Sequence, residues 1–327
     1  MNSKERVIRT IQFNNPDKIP VDLWVLPAAF LQYGDKLQRL IDEKDIDFAR
    51  AIYNDPTYDE RIYKIGTYKD VWGSVWKNAQ NGIVGEVKEY PLSDYNNLKN
   101  YKSPIGLLKG GFEETDYFIK SHSDKFILGG WISIFERMQF LRGTENLYID
   151  IAEESDELYL LRDIVVDYYR EYLSQWLEHD VDAICFGDDW GSQRALLISP
   201  NSWRKIFRPV YKELFDIIKA KGKYIFFHSD GYIMELYQEF IDMGVDCINS
   251  QLWCMGVETV AEKFAGKICF WGEISRQETL PKGTPEEIIE KAKIMKECLY
   301  SNGGLIGESE IGKDVPFENI KTVLNCW

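Results

Sequence analysis

Phe227-His-Ser-Asp-Gly231 sets an imidazole two residues before a carboxylate. In an extended chain the side chains of residues i and i+2 point to the same side, so His228 and Asp230 can grip one ion. Gly231 then permits a tight turn into the next segment. Other short apolar runs also end on polar groups: Trp131, Asp188-Asp189-Trp190, Asn249 with Gln251, Glu273, and Glu308-Ser309-Glu310, with Trp253 and Trp271 close by. Carboxylates gathered around one imidazole suit a hard or borderline metal, or a general acid paired with a base. His122 and His179 fall in polar helical or loop contexts, which leaves His228 as the histidine placed to act. At least one of Asp188 and Asp189 has a plainer reading, as a cap for the helix that begins near Ser199.

These residues must be positioned by the runs that precede them. Asp182–Gly187, Lys223–His228, Val245–Asn249, Lys267–Trp271 and Gly304–Gly307 are short and almost continuously apolar, as parallel strands covered on both faces should be. Earlier strands are expected at Val21–Val25 and Phe126–Gly129. Between them the pattern predicts helices over 155–178, 199–220, 232–242, 257–264 and 284–301, the last opening on Thr284-Pro-Glu-Glu287 as a capping box with proline at N1. Alternating strand and helix implies a parallel sheet, and the length favours closure into a (β/α)8 TIM barrel over an open doubly wound sheet. The residues after each strand then converge on one face. The chain reads as one domain, 1–327, with a short N-terminal extension. Tyr68–Trp76 and Ile83–Tyr90 around Asn81-Gly82 read as a β-hairpin excursion at about 67–91.

The chain of 327 residues carries 39 Lys and Arg against 53 Asp and Glu, a net charge of −14. That field would repel a nucleic acid, and no nucleic-acid partner is expected. No apolar run approaches the ~18 residues of a membrane span, and no apolar core of a leader follows the N-terminus, so no membrane is expected and the cytoplasm is the expected location. Six cysteines lack CxxC spacing, and Cys185, Cys247 and Cys269 sit in strand-like runs as small hydrophobes. Dinucleotide, P-loop, zincin and nucleophile-elbow motifs are absent from the sequence.

At these residues the sequence resembles the uroporphyrinogen decarboxylase-like superfamily, in its corrinoid-dependent methyltransferase branch. The resemblance runs through Lys4-Glu-Arg-Val-Ile8, Pro16–Pro20, Phe135-Glu-Arg137, Arg142–Leu147, Phe186–Gln193, Leu197–Pro200, Phe227–Gly231, Phe270-Trp-Gly272, Leu280–Pro285, Gly303-Gly304 and Pro316–Asn319. It implies a TIM barrel. True decarboxylases hold their substrate's carboxylates with an arginine-rich motif near the N-terminus. The matching stretch from Asp22 offers no arginine until Arg39, which argues against tetrapyrrole decarboxylation. Thiol-methylating members bind zinc through a His-x-Cys pair and a later cysteine. Here Asp230 and Glu308-Ser309-Glu310 stand at those positions, so oxygen replaces sulfur, as in the ether-cleaving members.

The resemblance therefore implies zinc held by His228 with ligands among Asp230, Glu273, Glu308 and Glu310. His228, Asp230, Asp188 and Asp189 are the candidates for catalysis, and Trp131, Trp190, Asn249, Gln251, Trp253 and Trp271 the candidates for holding a substrate. The implied activity moves a methyl group from a methylated small molecule, such as a methoxylated aromatic, to the cobalt of a separate corrinoid protein. The alternatives are methyl transfer from that corrinoid protein to a folate or thiol, and decarboxylation of a small non-porphyrin acid. A homodimer is compatible with the resemblance.

Overall fold

The computed structural model describes the whole chain, Met1–Trp327. In chain order the strands are β1 (Trp24–Val25), β2 (Phe48–Arg50), β3 (Gly66–Lys69), β4 (Val75–Asn78), β5 (Glu86–Glu89), β6 (Phe126–Ile132), β7 (Ala183–Gly187), β8 (Tyr224–Ser229), β9 (Cys247–Ser250), β10 (Cys269–Glu273), β11 (Leu305–Glu308) and β12 (Glu310–Ile311). Seven of them form one parallel sheet in the order β2-β6-β7-β8-β9-β10-β11, with helices in the connections after β6. The architecture is mixed α/β and TIM-barrel-like. At one side, β1 runs parallel to β12, and Asp22 N–H donates to the Gly307 carbonyl (2.9 Å). At the other, Asp47 N–H donates to the Val21 carbonyl (2.9 Å), while its carboxylate accepts from Val21 N–H (2.8 Å).

The strands alternate as their period of two requires. Leu128, Ala183, Cys185, Phe226, Cys247, Cys269, Trp271 and Ile306 form an inner cluster. Ile127, Ile184, Phe186, Ile225, Phe227, Ile248 and Phe270 join the larger cluster beneath the helices. The N-terminal extension is a helix, Ser3–Ile11, capped by the Asn2 side chain. Its Val7 and Ile11 enter the inner cluster, and its bonds to Asp124 and Gly304 fall just before β6 and β11. It therefore plugs the end where strands begin and leaves the end where they finish open for chemistry.

The helix expected over 155–178 forms as Asp156–Trp176, with Ser155 accepting from Leu158 N–H. Thr284 and Glu287 make the capping box of Pro285–Leu299. The span 199–220 is instead two helices, Pro200–Ile206 and Arg208–Ala220, because Pro209 has no N–H and fits only in a first turn. Residues 232–242 begin with a 3-10 turn, Met234–Leu236, before helix Tyr237–Met243. The excursion also differs from a hairpin. The run Tyr68–Trp76 contains a turn, in which the Asp70 carboxylate accepts from Ser74 N–H (2.8 Å) and Gly73 takes φ +94°. The result is a three-stranded antiparallel meander, β3-β4-β5.

Candidate metal centre

Strand register brings the site together. Gly187 pairs with His228, and His228 with Asn249, so one rung at the open end carries the imidazole between a residue without a side chain and an amide. The loop after β7 then packs on the loop after β8. Gly191 N–H donates to the Asp230 carbonyl (3.2 Å), Tyr232 N–H to the Ser192 carbonyl (2.7 Å), and Asp230 N–H to Asp189 Oδ1 (2.8 Å). Gly231, at φ +78°, permits this approach: a Cβ there would lie 2.1 Å from the Gly191 oxygen.

His228 Nε2 consequently faces Asp189 Oδ1 and Asp230 Oδ1, each 3.6 Å away. His228 Nδ1 lies 2.6 Å from Asn249 Oδ1. Asn249 Nδ2 donates to the Trp271 carbonyl (2.7 Å) and Glu308 Oε2 (3.2 Å), which turns Oδ1 toward the imidazole. Nδ1 then carries the hydrogen in the neutral ring, and the Nε2 lone pair points at the two carboxylates. Facing acceptors repel unless a cation or a proton lies between them. The three ligand atoms lie within 4.8 Å of one another, and one nitrogen with two oxygens fits the ligand chemistry of an open zinc site. Asp230 Oδ2 and Glu310 Oε1 are both bound by the Arg276 guanidinium, so Oδ1 is the Asp230 oxygen left on the imidazole side. Burial, and then the neighbouring Asp189 charge, push the Asp230 carboxyl above its usual range.

The remaining candidates are distributed differently. Asp188 is fully buried and faces away from the cluster, toward helix Ile134–Arg142. It accepts from Ile134 N–H (2.8 Å), Glu136 N–H (2.9 Å) and the Tyr211 hydroxyl. It is thus a cap from across the fold, for a different helix than the one near Ser199, which Ser199 caps itself. Burial pushes its carboxyl up to about 7 against those hydrogen bonds. Glu273, Glu308 and Glu310 do not join the ligand cluster. Glu310 is held by Arg276. Glu308 is fully buried, with one oxygen unpartnered, and burial followed by the Glu273 charge holds it well above the usual carboxylate range. Burial pushes Glu273 up to about 8.

Among the tryptophans, Trp131 is 42% exposed, with its ring 6.0 Å from that of His228. Trp190 instead packs in the helical layer between Phe135 (4.2 Å) and Phe207 (4.7 Å). Trp271 is buried in the inner cluster of the sheet, donating to Asp22 Oδ2 (3.0 Å). Trp253 and Gln251 border a small recess of about 20 Å³ beside Glu273 and Arg276.

A larger cleft of about 440 Å³ opens between the meander and the ends of β6 and the helix after it. Tyr68, Trp72, Trp76 and Tyr168 form part of its wall, Glu136 and Arg137 line it, and Trp131 divides it from His228. Trp131 can lie there because Gly187 has no side chain: a Cβ would stand 2.1 Å from the indole.

The family model described as "Uroporphyrinogen decarboxylase (URO-D)" matches residues 79–327. The chain belongs to the uroporphyrinogen decarboxylase family. A solved methyltransferase from Methanosarcina mazei shares the fold, with a TM-score of 0.72 at 17% identity over 100% of this chain and 98% of that one. A GH113 beta-1,4-mannanase aligns over 93% of this chain and 92% of its own at 11% identity, with a TM-score of 0.41. Dihydropteroate synthase from Xanthomonas albilineans aligns over 54% and 58% at 11% identity and a TM-score of 0.34. No curated protein sequence matches the chain.

In this family member four side chains at the open end were not singled out by the sequence reading. Arg276 lies three residues beyond the end of β10 and pairs with Asp230. Trp24 brings its ring to 5.2 Å from His228 and 5.8 Å from Trp131. Asp22 is buried and doubly paired with Arg50 (3.1 and 2.9 Å), so an arginine does reach the mouth, from the end of β2. Trp24 falls within the expected strand Val21–Val25, whereas Arg50 ends β2, a three-residue strand that the sequence reading does not include.

Proposed function

We propose that this chain is a methyltransferase that takes a methyl group from a methylated small molecule, such as a methoxylated aromatic, and passes it to the cobalt of a separate corrinoid protein. The observation that carries this reading is the Nε2 lone pair of His228 aimed at Asp189 and Asp230, an arrangement that calls for a cation. Zinc held by His228, Asp189 and Asp230 would act as a Lewis acid on the heteroatom that loses its methyl group. Asn249 fixes the imidazole tautomer, and Arg276 holds Asp230 so that one oxygen remains for the ion. Trp24 and Trp131 supply apolar walls beside the imidazole, and Glu273, neutral below about pH 8, adds no negative charge there. The family fold and the shared architecture with a methyltransferase support the reading. We also read the chain as one domain, with the segment 21–25 completing an eight-stranded closed barrel through the bonds of Asp22 to Gly307 and of Val21 to Asp47, and through the pairing of β1 with β12.

The test is metal analysis joined to methyl transfer from a methoxyarene, with and without a corrinoid protein. Wild-type protein should hold about one zinc and require the corrinoid partner, and His228→Ala should lose metal and transfer together. Full activity in His228→Ala would overturn the assignment.

A further inference from the structure

The aromatic cleft beside the metal centre is lined by five Asp, Glu and Arg side chains whose partners can be compared one by one. The Asp55 carboxylate accepts from Thr57 N–H (2.8 Å) and the Thr57 hydroxyl (2.7 Å). Asp59 is bound by Arg61. The two Asp70 oxygens accept from Ser74 N–H and Trp76 Nε1, each at 2.8 Å. Glu136 receives the Ser133 hydroxyl (3.2 Å), and burial followed by the Asp189 charge pushes its carboxyl above the usual range. Arg137 differs. Its guanidinium rests on the faces of Trp72 (4.7 Å) and Phe140 (5.5 Å), and its Nε and Nη1 are buried without any hydrogen-bond partner. The Tyr169 hydroxyl lies beside it. Its nearest carboxylate oxygen, Asp70 Oδ2, is 3.7 Å from Nη1, which is too far for a hydrogen bond.

The guanidinium reaches the cleft with its side chain 20% exposed, next to the Tyr169 hydroxyl, and two of its donors have no acceptor within hydrogen-bond distance. The walls around it are flat and aromatic, and the cleft is large enough for one substituted ring. We propose that Arg137 is the anchor for a carboxylate on an aromatic substrate, with the ring held among Trp72, Trp76 and Tyr168 and its far end directed past Trp131 toward His228. The acid group replaces the long contact to Asp70, whose oxygens keep their bonds to Ser74 and Trp76. The inference rests on the methyltransferase reading only for the choice of a methoxyl group as the reacting end.

Direct binding, measured by calorimetry without a corrinoid protein, separates the two. The probes are 3-methoxybenzoate and 3-methoxybenzamide, which share shape and differ in charge. Wild-type protein should bind the acid about 10- to 100-fold more tightly than the amide, the usual range for a charge-assisted pair. Arg137→Gln should abolish that preference while leaving amide binding in place. Arg137→Lys, which keeps the charge and loses the fork, should retain a reduced preference and covers the case in which the glutamine variant does not fold. His228→Ala should keep the preference, since the anchor lies outside the metal centre. Equal affinity of wild-type protein for acid and amide would overturn the proposal, as would an undiminished preference in a folded Arg137 variant. If the acid preference holds but no methyl transfer is found, the anchor stands and the methyltransferase reading fails.

Discussion

A single amide decides which nitrogen of His228 is free. Asn249 is nearly fully buried and is itself fixed by the Trp271 carbonyl and Glu308, so its oxygen has one orientation available. Groups that orient a metal-binding histidine commonly contribute 10- to 100-fold in affinity. For the zinc site proposed above, Asn249→Ala should therefore weaken metal binding by roughly that factor while leaving His228, Asp189 and Asp230 present, as read by competition with a chromophoric chelator. Unchanged affinity would show that the imidazole is held by packing alone. The pairing of His228 with Asp230 was legible because an i, i+2 spacing at a strand end has few geometric outcomes. The destinations of Glu273, Glu308 and Glu310 were not, because sequence shows that a carboxylate reaches the mouth but not whether an arginine meets it there. Arg276 takes Glu310, and Glu308 is buried by its place in β11.

At the level of elements, the strands were readable because burial on both faces leaves nearly continuous apolar runs, as in β7. The meander was misread as a hairpin because its first turn is made by a side chain. Asp70 closes the turn at Ser74, inside a stretch that otherwise alternates like one strand. Asp188 shows the same limit over a longer range: it caps helix Ile134–Arg142 from 52 to 54 residues away, a relation no local pattern contains. Its removal would leave two helix N–H groups and the Tyr211 hydroxyl without their acceptor in a dry interior. Asp188→Ala should destabilise the protein by roughly 3–5 kcal/mol in urea unfolding, with zinc affinity unchanged in the folded fraction. A variant that keeps its stability and loses activity would instead mark Asp188 as part of the chemistry.

Across the whole molecule, the net charge of −14 hides two populations of acids. Arg6, by hydrogen bond and charge, lowers Asp17 to about 2, and its contribution is present above the unfolded value near ~3.9 and lost as pH falls through about 2. Burial raises Glu273 to about 8, with the opposite consequence. Below ~4.3 the carboxyl is protonated in both folded and unfolded chains. Between there and about 8 the unfolded chain has released a proton that the folded chain still holds, so stability falls as pH rises. Above about 8 both forms are ionised and this contribution levels off. Asp188 adds a decline of the same sign that ends near pH 7. Glu273→Gln keeps the shape of the neutral acid and removes its titration. In chelator-treated protein, the unfolding free energy of the variant, read from urea titrations, should fall less than that of wild type between pH 5 and pH 8, by up to ~1 kcal/mol per pH unit. Comparing the two proteins cancels the general repulsion of an acidic chain, which both share. Parallel curves would mean that Glu273 ionises in the ordinary carboxylate range, and that the mouth carries one more negative charge toward a bound ion.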